Sequence, residues 1–163
     1  MQKFSKKILY AITFLTIIFL GSFYGTKYLS ADNDDSYLRI KYASYGDYDS
    51  DGIEDDIYSY SKMGIDYEGN IETNFALKIT LPSGISYDFS YKTSLEIDDD
   101  DDNTIRIKIT VFDIATEKGW YTVDLTCYYS GWGIFGVLCA SKTFDPPTDT
   151  GPGEPTAEFD IIT

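Results

Sequence analysis

The sequence predicts an all-β domain, an antiparallel β-sandwich of about seven strands. Three observations carry this. Apolar residues alternate with polar ones in run after run, the period of a half-buried strand. No stretch after residue 31 shows the 3.6-residue period of an amphipathic helix. Aromatics make up 17% of the chain, fifteen of them Tyr, which suits strands and argues against disorder. At 163 residues the chain is long enough for one domain with a sizeable core.

The first 31 residues read as an export segment. Lys3, Lys6 and Lys7 precede the apolar run Ile8 to Leu20, and no acid occurs before Asp32. A basic start followed by such a run is the pattern of a secretory signal. Extended to Tyr24 the run would form about 26 Å of helix at ~1.5 Å per residue, at the short limit for a membrane span. Leu29-Ser30-Ala31 places a large residue where signal cleavage favours a small one. The segment is therefore either a signal peptide or an uncleaved transmembrane anchor. Either way the basic flank leaves everything after Lys27 outside the cell. The expected organisation is 1–31 for export, 32–145 for the sandwich and 146–163 for a Pro-, Gly- and acid-rich tail.

Strand by strand, Tyr37 to Ala43 alternates with Leu38, Ile40 and Tyr42 on one face. Ile57 to Met63 reads as the second strand. Phe75, Leu77, Ile79 and Leu81 mark the third, after a stretch from Gly64 to Thr73 that reads as a loop with room for a short strand. Pro82-Ser83-Gly84 has turn chemistry, and Ile85, Tyr87, Phe89 and Tyr91 return, continuing through Leu95 and Ile97. Asp98 to Asp102 is an exposed acidic connection. Ile105, Ile107, Ile109 and Val111 alternate with Arg106 and Lys108. Trp120 to Tyr129 carries Tyr121, Val123, Leu125 and Cys127 on one face. Gly131-Trp132-Gly133 turns the chain, and Val137 to Phe144 runs back. The tail ends in Phe159-Asp160-Ile161-Ile162, apolar enough to pair as a further strand. In an antiparallel sandwich connections alternate between two ends. The loop after the first strand, the Pro82 turn and the Asp113 to Gly119 loop should then share one end.

The stretch Gly119-Trp120-Tyr121-Thr122-Val123, with Leu125 after it, resembles the Gly-x-Tyr-x-Val segment of immunoglobulin-like domains in bacterial and archaeal surface proteins. The resemblance implies an immunoglobulin-like sandwich in which Tyr121 packs at a corner between the sheets. It covers some ten residues and names no ligand.

The chemistry concentrates in Gly46 to Ile57. Asp47, Asp49 and Asp51 alternate, Gly52 follows, and Asp55 and Asp56 come next. Ca²⁺ takes six to eight oxygens, and carboxylates two residues apart in a tight loop converge on one centre. Counted from Asp47, the candidate ligands are Asp47, Asp49, Asp51, the Ile53 carbonyl and Asp55, with Gly52 at the sharp turn. An EF-hand has Glu at the twelfth position, where this chain has Tyr58. The loop is more similar to the calcium loops of integrin α-chain repeats, and less closely to dockerin or thrombospondin type 3 loops. The five-aspartate run, with Asp98, Asp100 and Asp102 alternating but no Gly after them, is a weaker second candidate.

Cys127 and Cys139 lie symmetrically about Gly133, so in a hairpin centred there they would face each other. In an exported chain that predicts a disulfide. The alternative is two free thiols.

Composition narrows the function. The chain contains no His, which excludes His-based triads, His general bases and His-ligated zinc. A net charge of −14 repels nucleic acid and anionic lipid. The expectation is a non-enzymatic, calcium-stabilised structural or adhesion module of the cell surface. Its partners would be other envelope proteins, further copies of itself included, and the membrane if the first helix is retained. One alternative is an extracellular glycan-binding module using Tyr37, Tyr58, Tyr60 or Trp132 as stacking platforms. The other is a filament subunit that lends its C-terminal strand to a neighbour.

Overall fold

The computed structural model describes residues 36–98, 104–144 and 156–163. The expected export segment, most of the aspartate run and the Pro-rich part of the tail lie outside these residues. Among the described residues no helix is long and apolar enough to cross a membrane.

Eight strands form two four-stranded antiparallel sheets, a β-sandwich. They are β1 (Tyr37–Gly46), β2 (Asp56–Gly64), β3 (Gly69–Thr80), β4 (Ser86–Ile97), β5 (Ile105–Phe112), β6 (Tyr121–Gly131), β7 (Ile134–Phe144) and β8 (Thr156–Ile162). One sheet has the order β1-β2-β5-β8 and the other β4-β3-β6-β7. The alternating residues explain the layers. Ile57, Met63, Ile107, Ile109 and Val111 of the first sheet, and Ile71, Phe75, Leu77, Ile79, Val123 and Leu125 of the second, are buried together. Burying each such side chain is worth about 1.5–3 kcal/mol relative to exposure, so this shared core is what holds the two layers together.

All seven expected strands are present, and three details differ from the sequence pattern. First, β1 does not alternate throughout. Its register with β2 shifts between Ile40 and Tyr42. The extra residue turns Tyr42 out to solvent and lets Ala43 pack on the core, as a bulge does. Second, β3 starts at Gly69 rather than near Phe75, because Ile71 and Thr73 continue its inward face. Third, the tail's end is a full strand, β8, paired along its length with β5, from Phe112↔Thr156 to Arg106↔Ile162. Phe159 stacks on Tyr91 of β4 at 5.4 Å between ring centres, tying the two sheets together along that side.

The disulfide expectation is overturned. Cys127 and Cys139 are both free, the first buried and the second exposed. The β6–β7 turn has two residues, Trp132 and Gly133, closed by Gly131↔Ile134, with Gly133 at φ 83°. The hairpin is therefore centred between Trp132 and Gly133, half a residue before the position a disulfide needs. Cys127 then pairs with Leu138, and Cys139 with Thr126. A one-residue slip in pairing moves a side chain to the opposite face of the sheet. Cys127 points into the core and Cys139 points out of it.

Tyr121 is the first residue of β6. It is fully buried. Its hydroxyl donates to the Glu117 carbonyl at 2.9 Å and accepts the Glu117 N–H at 2.7 Å. Both bonds fold the β5–β6 loop back onto the start of β6. Glu117 in turn accepts the Ser83 N–H and hydroxyl, at 2.8 and 2.7 Å. The Pro82 turn and the β5–β6 loop thus share one end of the sandwich.

Candidate metal centre

The same end carries the acidic loop, residues 47–55 between β1 and β2. Its backbone needs two left-handed positions, Gly52 at φ 93° and Ser50 at φ 67°. The first favours glycine on steric grounds; the second is uncommon for a residue with a side chain. Three carboxylates shape the turn by accepting its own N–H groups. Asp49 Oδ1 takes the Asp51 N–H at 3.0 Å, Asp51 Oδ1 the Ile53 N–H at 2.8 Å, and Asp47 Oδ2 the Gly52 N–H at 3.1 Å. Short acidic side chains bonding backbone two residues on is the usual way such turns are held.

Asp56, the first residue of β2, is fully buried beneath the loop. Its Oδ2 accepts the N–H groups of Tyr48 at 2.6 Å and Asp49 at 3.0 Å. Its Oδ1 accepts the Asp113 N–H at 3.0 Å, from the residue that directly follows β5. One carboxylate therefore pins two loops that lie 57 residues apart in sequence. The Asp55 carbonyl adds to the seam by accepting the Ile114 and Ala115 N–H groups, at 2.9 and 2.6 Å. Asp113 itself has a left-handed backbone, φ 56°.

Five carboxylates converge as a result, in two overlapping triads. Asp47, Asp49 and Asp56 form one, and Asp49, Asp51 and Asp113 the other. Within each triad one oxygen per residue lies within 4.8 Å of the others. Two oxygens bound to the same Ca²⁺ at 2.3–2.6 Å are at most about 5 Å apart, so each triad has the spacing of a cation site.

Asp55 behaves differently from its neighbours. Its side chain is only 1% exposed, and neither carboxylate oxygen has a hydrogen-bond partner. Burial pushes its carboxyl above the ordinary 3.8, and the nearby charges of Asp113, Asp56 and Asp51 push it further the same way. Asp49 is drawn down by the Asp51 N–H. Desolvation and the charges of Asp56, Asp51 and Asp113 outweigh that, and its net shift is upward. In both cases desolvation is the largest upward push, and the neighbouring carboxylates add to it.

Of the five residues singled out in the sequence, Asp47, Asp49 and Asp51 are in the triads. Ile53 is in the same turn, held through its N–H. Asp55 is in neither triad, and Asp56 stands where a ligand from the end of the loop was expected. Strand parity explains the exchange. Asp56 opens β2 and its carboxylate accepts N–H groups of the loop, while Asp55 lies one residue earlier and meets the β5–β6 loop through its carbonyl. Asp113 was missed. Its only sequence signal is its place as the first loop residue after β5, at the end shared with the acidic loop.

Comparison of the sequence with protein-family models and with curated proteins finds no match.

Proposed function

We propose that this chain is an exported, calcium-stabilised module of the cell surface with a structural or adhesive role and no catalytic one. The buried Asp55 carboxylate is the observation that carries it. An ionised carboxylate without a hydrogen bond, beside three other acids, is costly to bury. A divalent cation removes that cost, and a hard oxygen-only cluster suits Ca²⁺ better than softer metals. Mg²⁺ fits less well, because it demands six tight oxygens and dehydrates reluctantly. The ligands assigned are Asp47, Asp49, Asp51, Asp56 and Asp113, with Asp55 and the Ile53 carbonyl beside them.

The strand order and the Tyr121–Glu117 corner support an immunoglobulin-like sandwich, the class common in surface modules. The basic, apolar first 31 residues support export, as a cleaved signal or a retained anchor. Surface or envelope proteins, including further copies of this chain, are the partners this reading implies.

The test is thermal. The full-length chain should melt at higher temperature with Ca²⁺ than after chelation, with Mg²⁺ giving a smaller shift. Equal melting curves with and without Ca²⁺ would remove the calcium reading.

A glycan-binding role is the second reading. Tyr48, Tyr58 and Tyr42 form a run of rings beside the acidic loop, with centres 5.7 and 6.2 Å apart. Tyr42 and Tyr48 are exposed. Glycan retention lost on Tyr58→Ala would favour this role, and an array with no bound glycan would dismiss it.

A further inference from the structure

We infer that β8 is an exchangeable strand, and that the place it fills beside β5 also takes β8 of a second copy of this chain, in the same register. The reading above names further copies among the partners. This inference gives them a contact that needs no bound ion, so it stands or falls apart from calcium.

The strand order singles β8 out. Strands β1 to β7 already make two facing sheets, β1-β2-β5 and β4-β3-β6-β7. β8 is added as the outermost strand beside β5, and no hairpin brings it there. β7, the strand before it, lies in the other sheet, against β1 at the opposite edge. Phe144 and Thr156 both sit at the acidic end of the sandwich, paired with Tyr121 and Phe112. Residues 145–155 join them, so the connection has eleven residues. Strands lie about 4.8 Å apart and packed sheets about 10 Å, so three strand spacings and one sheet spacing separate its ends by roughly 18 Å. Eleven residues reach up to about 36 Å. The connection is about twice as long as one chain requires, and the surplus lets β8 reach β5 of an adjacent copy. It also lowers the advantage of the chain's own strand, because effective concentration falls as a linker outgrows its span.

The contacts that hold β8 do not depend on which chain it belongs to. It has one backbone ladder, seven pairs to β5. None of its side chains is fully buried: Ala157, Phe159 and Ile161 are half-buried against the core, and the residues between them are exposed. By contrast Ile105, Ile107, Ile109 and Val111, the inward residues of β5, are fully buried. The Phe159 ring on Tyr91 and the Lys108–Asp160 ion pair at 3.1 Å complete the attachment. All of these partners lie within β1 to β7, so β8 of a second copy meets them equally well. An edge of β5 without a strand would present a row of unpaired N–H and C=O groups, a template for an extended segment of another chain.

Two full-length variants test this, both carrying Cys139→Ser. Thr110→Cys marks β5 and Glu158→Cys marks β8, at positions that are direct partners and face away from the core. Side chains directly opposite in a ladder are close enough for a disulfide. The two chains, one of them tagged, are unfolded together and refolded under reducing conditions. Glutathione disulfide is then added. The expected result is a mixed dimer linked through Thr110→Cys of one chain and Glu158→Cys of the other. Its yield should rise at least tenfold between about 10 µM and about 1 mM protein, the scale of effective concentration for a short linker. A double variant carrying both substitutions should pass from intrachain to interchain crosslinks over the same range. If either single variant does not fold, Lys108→Cys and Asp160→Cys, at the exposed ion pair, read the same contact. A double variant that crosslinks only within the chain, with no mixed dimer at any concentration, overturns the inference: β8 then keeps to its own β5. Dimers linked only through like positions overturn it too, as does a double variant that forms no crosslink at all. Each of these results leaves the calcium reading as it was.

Discussion

The acidic end and the β6–β7 hairpin both joined residues by spacing, and the outcomes differ. In the acidic loop, Asp47, Asp49 and Asp51 all enter the carboxylate cluster, Asp47 and Asp51 in different triads that share Asp49. In the hairpin, Cys127 and Cys139 face opposite ways. The first inference needs only local geometry, a tight turn with carboxylates every second residue. The second needs the register of two strands, which the turn sets. A turn of two residues in place of three moves one cysteine to the other face. Spacing within a loop is therefore informative in a way that spacing across a hairpin is not.

The largest contrast available within the acidic end is between two adjacent buried aspartates. Asp56 accepts three backbone N–H groups, and Asp55 accepts none through its side chain. Asp56→Ala leaves those donors without their partner, at roughly 1–3 kcal/mol for each that stays buried. A loss of at least about 3 kcal/mol in chemical denaturation is expected, with or without calcium. A loss under about 1 kcal/mol would mean the two loops are held mainly by something else.

Asp55→Asn should act in the opposite direction when metal is absent. It removes an uncompensated buried charge, so the calcium-free variant should be more stable than the calcium-free parent, by about 1 kcal/mol. With calcium the order should reverse, since the variant has less charge to offer an ion. Melting curves of both chains in both conditions check this. A variant less stable than the parent in the absence of metal would show that Asp55 is satisfied without a cation.

The strand pattern was legible because burial in a sandwich has a period of two, and Ile105 to Val111 or Tyr121 to Cys127 display it directly. The bulge at β1 was not, because Lys41 and Tyr42 carry no mark distinguishing an inserted residue from a paired one. β8 was half-visible: Phe159 to Ile162 is apolar enough for a strand, but nothing local to it names β5 as its partner. At the candidate metal centre the carboxylates within the loop were legible and Asp113 was not. Its proximity follows from the fold, through Asp56 and the Asp55 carbonyl, rather than from any motif. The Tyr121 motif stands between these cases. Its partner Glu117 lies four residues away, close enough for sequence to place it and far enough to bend the chain.

The smallest expected effect concerns the cysteines. Burial pushes the Cys127 thiol up to about 12, so at pH 8 almost none of it is thiolate, and the core shields it from reagents. Cys139 sits on the outer face of β7 with only the Thr126 hydroxyl near its sulfur, at 3.7 Å. A thiol reagent added to the folded, freshly reduced chain should therefore label one cysteine rapidly and the second only after denaturant. Cys139→Ser should change stability by less than about 0.5 kcal/mol, as surface substitutions usually do. It should also abolish the rapid labelling. Reducing agent should leave the melting temperature of the monomer unchanged, because no intrachain bond is there to break. A melting temperature that falls on reduction, together with no rapid labelling before it, would return the hairpin to the three-residue turn and the paired cysteines that symmetry about Gly133 suggests.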